Sequence, residues 1–286
     1  GSPKMPGRSL RIEDGRWICV LDDSSAVVQS VVTQLHGKGI AVRVLAPDEG
    51  MNAASFAGAA GLIIGASTDP ETAFLAAKHA APELFSASET SDALFAVITC
   101  MDGAFGFTGN AFDNPEQGAL PGLVKTAALE WEPVTCRAID LSPDFSDPNT
   151  TAQQVIAELL TVNDHDPVEI GLGPDRRVTL KPVPAQTADG SIGLDKNDVV
   201  VVTGGARGVT AACALHLARA TGVSIALIGR STPVEVPAWL QGVDGEAAMK
   251  RAIVENAFTG STPTPKALEA AYRKHAANLA ITRAID

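Results

Sequence analysis

The stretch VVVVTGGARGVTAACALHLARA, residues 199–220, decides how this chain is read. Four valines read as a strand. The turn Thr203-Gly204-Gly205-Ala206-Arg207-Gly208-Val209 follows, and the residues after it read as a helix. That order builds a phosphate cradle. Glycines let backbone approach a pyrophosphate, and a helix N-terminus offers it unsatisfied N–H groups at a positive dipole end. The spacing is T-G-x-x-x-G rather than G-x-G-x-x-G. A plain glycine turn that packs helix on sheet is the alternative.

A second strand, 224–228, ends at Gly229-Arg230-Ser231. Dinucleotide sites carry a carboxylate at this place for a ribose 2′-OH, or a basic residue for a 2′-phosphate. Here Arg230 stands beside Ser231, and Arg207 within the loop adds a second cation. This pattern selects NADPH over NADH. The alternative reading of Arg230 is a solvated surface charge.

Working outward, strands and helices alternate upstream. Residues 17–21 read as a buried strand, and Asp22-Asp23-Ser24-Ser25 as a helix start. Val27, Val28, Val31, Val32 and Leu35 recur at helical spacing. Strands follow at 40–45, 61–64, 93–100 and 134–141, with helical segments at 70–84, 120–131 and 151–160. A hairpin at 168–180 closes the run. The order predicts an α/β chain of Rossmann-like, doubly wound parallel sheets. Residues 182–197, rich in Pro and Gly, read as a break before the strand-helix-strand pattern starts again. The expected division is 1–9 as a cloning scar and linker, 10–183 as a first subdomain, 184–197 as linker, and 198–286 as a second. The first unit has Asp22-Asp23 where the second has glycines. Two carboxylates repel a pyrophosphate, so the first unit is expected to have the fold without the ligand.

Composition bounds the rest. With 286 residues, 45% hydrophobic and 19% charged, the chain can bury sizeable cores. A formal net charge of −11 argues against nucleic acid or an anionic membrane as partner. No apolar run is long enough to span a bilayer, and the expected location is the cytoplasm. Cys19, Cys100, Cys136 and Cys213 are scattered and read as reduced, buried thiols. The histidines lack ligand spacing with a third donor, so no metal site is expected, and His165 reads as part of a polar loop. Trp239 reads as core packing or as an interface anchor.

VVVVTGGARGVTAACALHLA with IALIGRS resembles the ketoreductase domains of polyketide synthases, within the short-chain dehydrogenase/reductase superfamily. The G-G-A-R-G-V-T variant is most similar to ketoreductases of polyunsaturated fatty acid synthases. GALPGLVKTAALEWEPVTCRAIDLSPD, residues 118–144, is similar to part of their cofactor-free structural subdomain. Residues 232–281 are similar to the helical segment between the second and third strands of their catalytic subdomain. The resemblance implies NADPH-dependent reduction of a β-ketoacyl group on an acyl carrier protein, beside neighbouring domains of a multienzyme. It assigns cofactor binding to Thr203, Gly204, Gly205, Arg207, Gly208, Val209, Arg230 and Ser231.

The resemblance also implies a catalytic Ser, Tyr and Lys, and these have no match here. The single tyrosine, Tyr272, has Ala276 four residues on, so no Tyr-x-x-x-Lys exists. Tyr272 reads as packing on a helix opened by Thr264-Pro265. The expectation is that the chain stops within the catalytic subdomain, leaves an unpaired parallel edge, and alone cannot reduce a ketone. A non-catalytic scaffold or docking subdomain of the same multienzyme is the second reading. A nucleotide-dependent enzyme of another class is the third.

Overall fold

The computed structural model describes residues 7–47, 50–109, 114–163, 166–186, 190, 192–260 and 262–285. His165 and most of the first nine residues lie outside these, as do residues 187–189 and 191 of the expected linker. The chain divides into two compact units, Gly1–Pro184 and Ala185–Asp286.

In the first unit, β1 (Arg8–Ser9) precedes β2 (Trp17–Leu21), α1 (Ala26–Gly37) and β3 (Val42–Leu45). Then come β4 (Ala59–Ile64), α2 (Pro70–Ser88), β5 (Ala93–Thr99), α3 (Ala119–Glu130), β6 (Val134–Leu141) and α4 (Pro148–Leu159). The unit ends with β7 (Thr161–Val162), β8 (Glu169–Gly173) and β9 (Arg176–Val178). Among the described residues, the main sheet has seven strands in the order β3-β2-β4-β5-β6-β8-β9. All neighbours are parallel except β8 and β9.

Both faces of this sheet are covered, which is why its strands are apolar along their length rather than alternating. Cys19, Leu62, Ile64, Phe95 and Val97 point to α2 and α3, where Ala76, Ala80, Leu84 and Val124 meet them. Ile18, Val20, Ile63, Leu94 and Ile98 point to α1 and α4, where Val31, Leu35, Val155 and Leu159 close the other layer. The alanines of α2 let that helix lie close to the strands. Side chains set the helix starts: Ser25 accepts from the Val28 amide, Asp69 from Thr72 and Asp147 from Thr150.

The thiols divide two ways. Cys19 and Cys136 are buried, as the sequence leads one to expect, but Cys100 and Cys213 are exposed. Cys100 follows the last residue of β5, where the strand leaves the core. Cys213 sits on a helix of the second unit whose outer side is open.

The second unit starts the strand-helix-strand pattern again with β10 (Val199–Thr203), α5 (Gly208–Thr221) and β11 (Ser224–Ile228), the strands parallel and in register Val199↔Ser224. α6 (Glu246–Ala257) and α7 (Pro265–Ile285) follow. Leu240, Met249 and Ile253 form a small core against which Trp239 and Tyr272 pack. Among the described residues β10 pairs with β11 alone. Its outward side chains, Val199 and Val201, are 63% and 59% exposed.

Candidate functional site

Two strand-loop-helix turns invite comparison, one in each unit. In the first, the order β3-β2-β4 places a switch point at the carboxyl ends of β2 and β4, where doubly wound folds hold ligands. The chain's own carboxylates lie there. Asp22 accepts from the Ser24 amide at 2.8 Å and Asp23 from the Ser25 amide at 2.9 Å. Ser25 caps α1. The Asp23 carboxylate lies where any Cβ on Gly65 would fall, so side chain and glycine fill the crevice together.

More acid lies along the same edge. Asp140, fully buried, accepts from the Thr99 hydroxyl at 2.8 Å and from the amides of Met101 and Phe105 at 2.9 Å. Asp102 accepts from the amides of Ala104, Gly106 and Thr108 and from the Thr108 hydroxyl. The loop after β5 is therefore wound around two carboxylates. Donors that would otherwise be open to an anion are occupied. By sequence, 102–118 is rich in Gly, Phe, Asn and Asp and reads as a loop. The aspartates that organise it are visible there, but which amides they hold depends on the tertiary path.

The turn in the second unit is built differently. Gly204 and Gly208 have φ of +68° and +64°, a region that side chains rarely enter. Open space surrounds both where a Cβ would stand. Gly205 is buried, and a Cβ there would lie 2.5 Å from Val202 Cγ1 and 2.8 Å from Leu227 Cδ2. The turn thus hugs the sheet at Gly205 and opens outward on either side. Arg207 precedes α5 in extended conformation, and among the described residues no side chain caps that helix or places acid in its first turn. Its first N–H groups and positive dipole end stay available to an anion. Thr203, Arg207 and Val209 are all exposed around it, Val209 at 81%.

Arg230 and Ser231 are exposed just beyond β11. The register Thr203↔Ile228 sets the ends of the two strands side by side, and the Gly204 amide donates to the Ile228 carbonyl at 2.7 Å. The glycine turn and the Arg230 segment therefore leave one edge of one sheet. These eight residues fit a dinucleotide's phosphates on an observed cradle: two positive-φ glycines with space above them, an uncapped helix start, and two arginines. Tyr272 lies elsewhere, partly buried in the helical core with Lys250 Nζ 4.9 Å from its ring centre.

The comparisons with known proteins bear on the fold. No family model matches the chain. A polyunsaturated fatty acid synthase subunit of Thraustochytrium sp. (strain ATCC 26185 / S-3) is 31% identical over 189 residues, which is 61% of this chain and 7% of that protein. The first ketoreductase of the tylosin PKS superposes with a TM-score of 0.51 at 13% identity, over 97% of this chain and 68% of that one. A keto acid-selecting NRPS module with adenylation, ketoreductase and pseudo Asub domains gives 0.52 at 14%, over 95% and 26%. The fold is therefore α/β, Rossmann-like, and shared with the ketoreductases of polyketide synthases. In sequence the chain is similar to a short part of a polyunsaturated fatty acid synthase.

Proposed function

We propose that the chain is part of an NADPH-dependent β-ketoacyl reductase that works on acyl carrier protein-bound substrate within a polyketide or fatty acid synthase. The observation that carries this reading is the contrast between the two turns. One is filled by Asp22 and Asp23. The other presents open glycines and an uncapped helix flanked by Arg207 and Arg230. The first unit is then the structural subdomain and the second the start of the cofactor-binding one.

In this reading Gly204, Gly205 and Gly208 admit the pyrophosphate to the backbone, and the N-terminus of α5 meets its charge. Arg230 and Ser231 take the 2′-phosphate, with Arg207 as the second cation. Thr203 and Val209 border the loop. When bound, NADPH supplies the hydride that reduces the β-keto carbon. No residue of this chain matches the family's proton donor, since Tyr272 packs in the helical core. The valines exposed on β10 support a further strand and covering segment from neighbouring polypeptide.

The test is NADPH consumption with a β-ketoacyl carrier thioester. The 286-residue chain alone is expected to show none, and a longer polypeptide containing it to turn over. Turnover by the short chain would contradict the reading of Tyr272. Inactivity of the longer one would favour a scaffold role.

A further inference from the structure

In the first unit one buried cation is short of partners. Arg137 lies on β6, and its side chain is 6% exposed. A guanidinium has five N–H donors. Here Nη1 donates to the Cys136 carbonyl at 3.1 Å. Nη2 stands 3.9 Å from Asp166 Oδ2, too far for a hydrogen bond. Nε is buried with no partner among the described residues. Asp166 is drawn the other way as well, with Arg177 Nη2 at 3.5 Å. A buried donor left open is costly, so this one calls for an acceptor from outside the chain.

Arg137 and Asp166 both line a cavity of about 290 Å³, near the lower bound for ligand sites. Asp92, just before β5, and Glu132, just before β6, line it too. That places it at the amino ends of these strands, across the sheet from Asp22 and Asp23. Asp92 is already held by both Nη groups of Arg8. Glu132 is exposed and forms no ion pair among the described residues. A simple anion would meet Arg137 but stand among Asp166 and Glu132. A molecule with a carboxylate for the guanidinium and an ammonium for a carboxylate satisfies both signs. We propose that this cavity binds a free α-amino acid, its carboxylate on Arg137 and its ammonium at Glu132. Thr135, two residues before Arg137 and on the same strand face, adds a hydroxyl to the lining. The small volume and polar lining suit glycine or serine. The inference is independent of the dinucleotide reading, since every residue it uses belongs to the first unit.

The test is calorimetric titration of the 286-residue chain with serine, with acetate and ethylammonium as its two halves. Serine is expected to bind saturably and to raise the melting temperature. Each half is expected to bind at least about tenfold more weakly. Arg137→Lys keeps the charge but loses the planar fork, and should weaken serine about tenfold. Glu132→Gln changes an exposed side chain and should leave the melting temperature of the free chain unchanged. It should weaken serine about tenfold while binding acetate no more weakly. No saturable serine binding, acetate as tight as serine, or full serine affinity in Glu132→Gln would each overturn the inference. The Glu132 variant decides even if Arg137→Lys does not fold.

Discussion

The Gly204 amide donates to the Ile228 carbonyl at 2.7 Å, tying the glycine turn to the end of β11 two residues before Arg230. The glycine turn and Arg230 are thereby carried by two parallel strands in fixed register. A change in either strand's register would separate them. The consequences can be measured residue by residue.

Gly205 is the tightest point of the turn. Gly205→Ala would push a Cβ into Val202 and Leu227, and about 1–3 kcal/mol of destabilisation is expected from such overpacking. Gly229→Ala, with open space at its Cβ position, is expected to stay within about 0.5 kcal/mol. Thermal unfolding of the two variants checks the difference.

Asp102 gives the first unit an acid sensitivity. Burial would raise its carboxyl. The hydroxyl and amide of Thr108 and the amides of Gly106 and Ala104 outweigh that and hold it at about 2. An unfolded aspartate titrates near ~3.9. The stabilisation, about 2 kcal/mol, is thus complete above pH ~4 and lost as pH falls toward ~2. Urea midpoints across that window should fall more steeply for the native chain than for Asp102→Asn, which starts less stable.

Thiol chemistry should distinguish the four cysteines. Burial pushes Cys19 and Cys136 up to about 12. Cys100 is exposed as a residue, but desolvation around its sulfur, with the Asp140 and Asp23 carboxylates, pushes the thiol up to about 11. Cys213 is exposed on α5. Ellman's reagent at pH 8 is expected to show one fast thiol, lost in Cys213→Ser, and four after denaturation. A second fast thiol in the native chain would contradict the suppressed ionisation of the other three.

The outward face of β10 offers another check. Val201→Lys is expected to change the melting temperature of the 286-residue chain little, because Val201 is 59% exposed. In a longer polypeptide whose further strands cover that face, the same substitution should cost several kcal/mol, as for a charge buried without a partner. Equal tolerance in both would remove the case for a covering segment.

Much of this is legible in the sequence because parallel sheets covered on both faces write themselves as apolar runs. The strands at 17–21, 134–141 and 224–228 read with the bounds the structure has. So does the glycine turn, whose residue types are dictated by local backbone shape. Less legible is whatever depends on distant partners. Residues 8–9 and 161–162 form a short antiparallel pair with no local signal. The helix expected over 70–84 runs on to Ser88, past Pro82, because its alanines are buried against β4 and β5. Cys100 and Cys213 sit in apolar sequence but face outward, since hydrophobic neighbours in sequence do not tell which side of a helix or strand end is covered. Asn278, which grips Val234 from 44 residues away, carries no motif at all.

The most direct measurement is a calorimetric titration of the 286-residue chain with NADPH and with NADH, with Arg230→Ala beside it. The dinucleotide reading expects NADPH to bind more tightly than NADH. Arg230→Ala should weaken NADPH about tenfold or more and leave NADH nearly unchanged, as for loss of one charge-assisted contact to the 2′-phosphate. Equal affinity for the two cofactors, or an Arg230→Ala variant that binds NADPH as the native chain does, would contradict it.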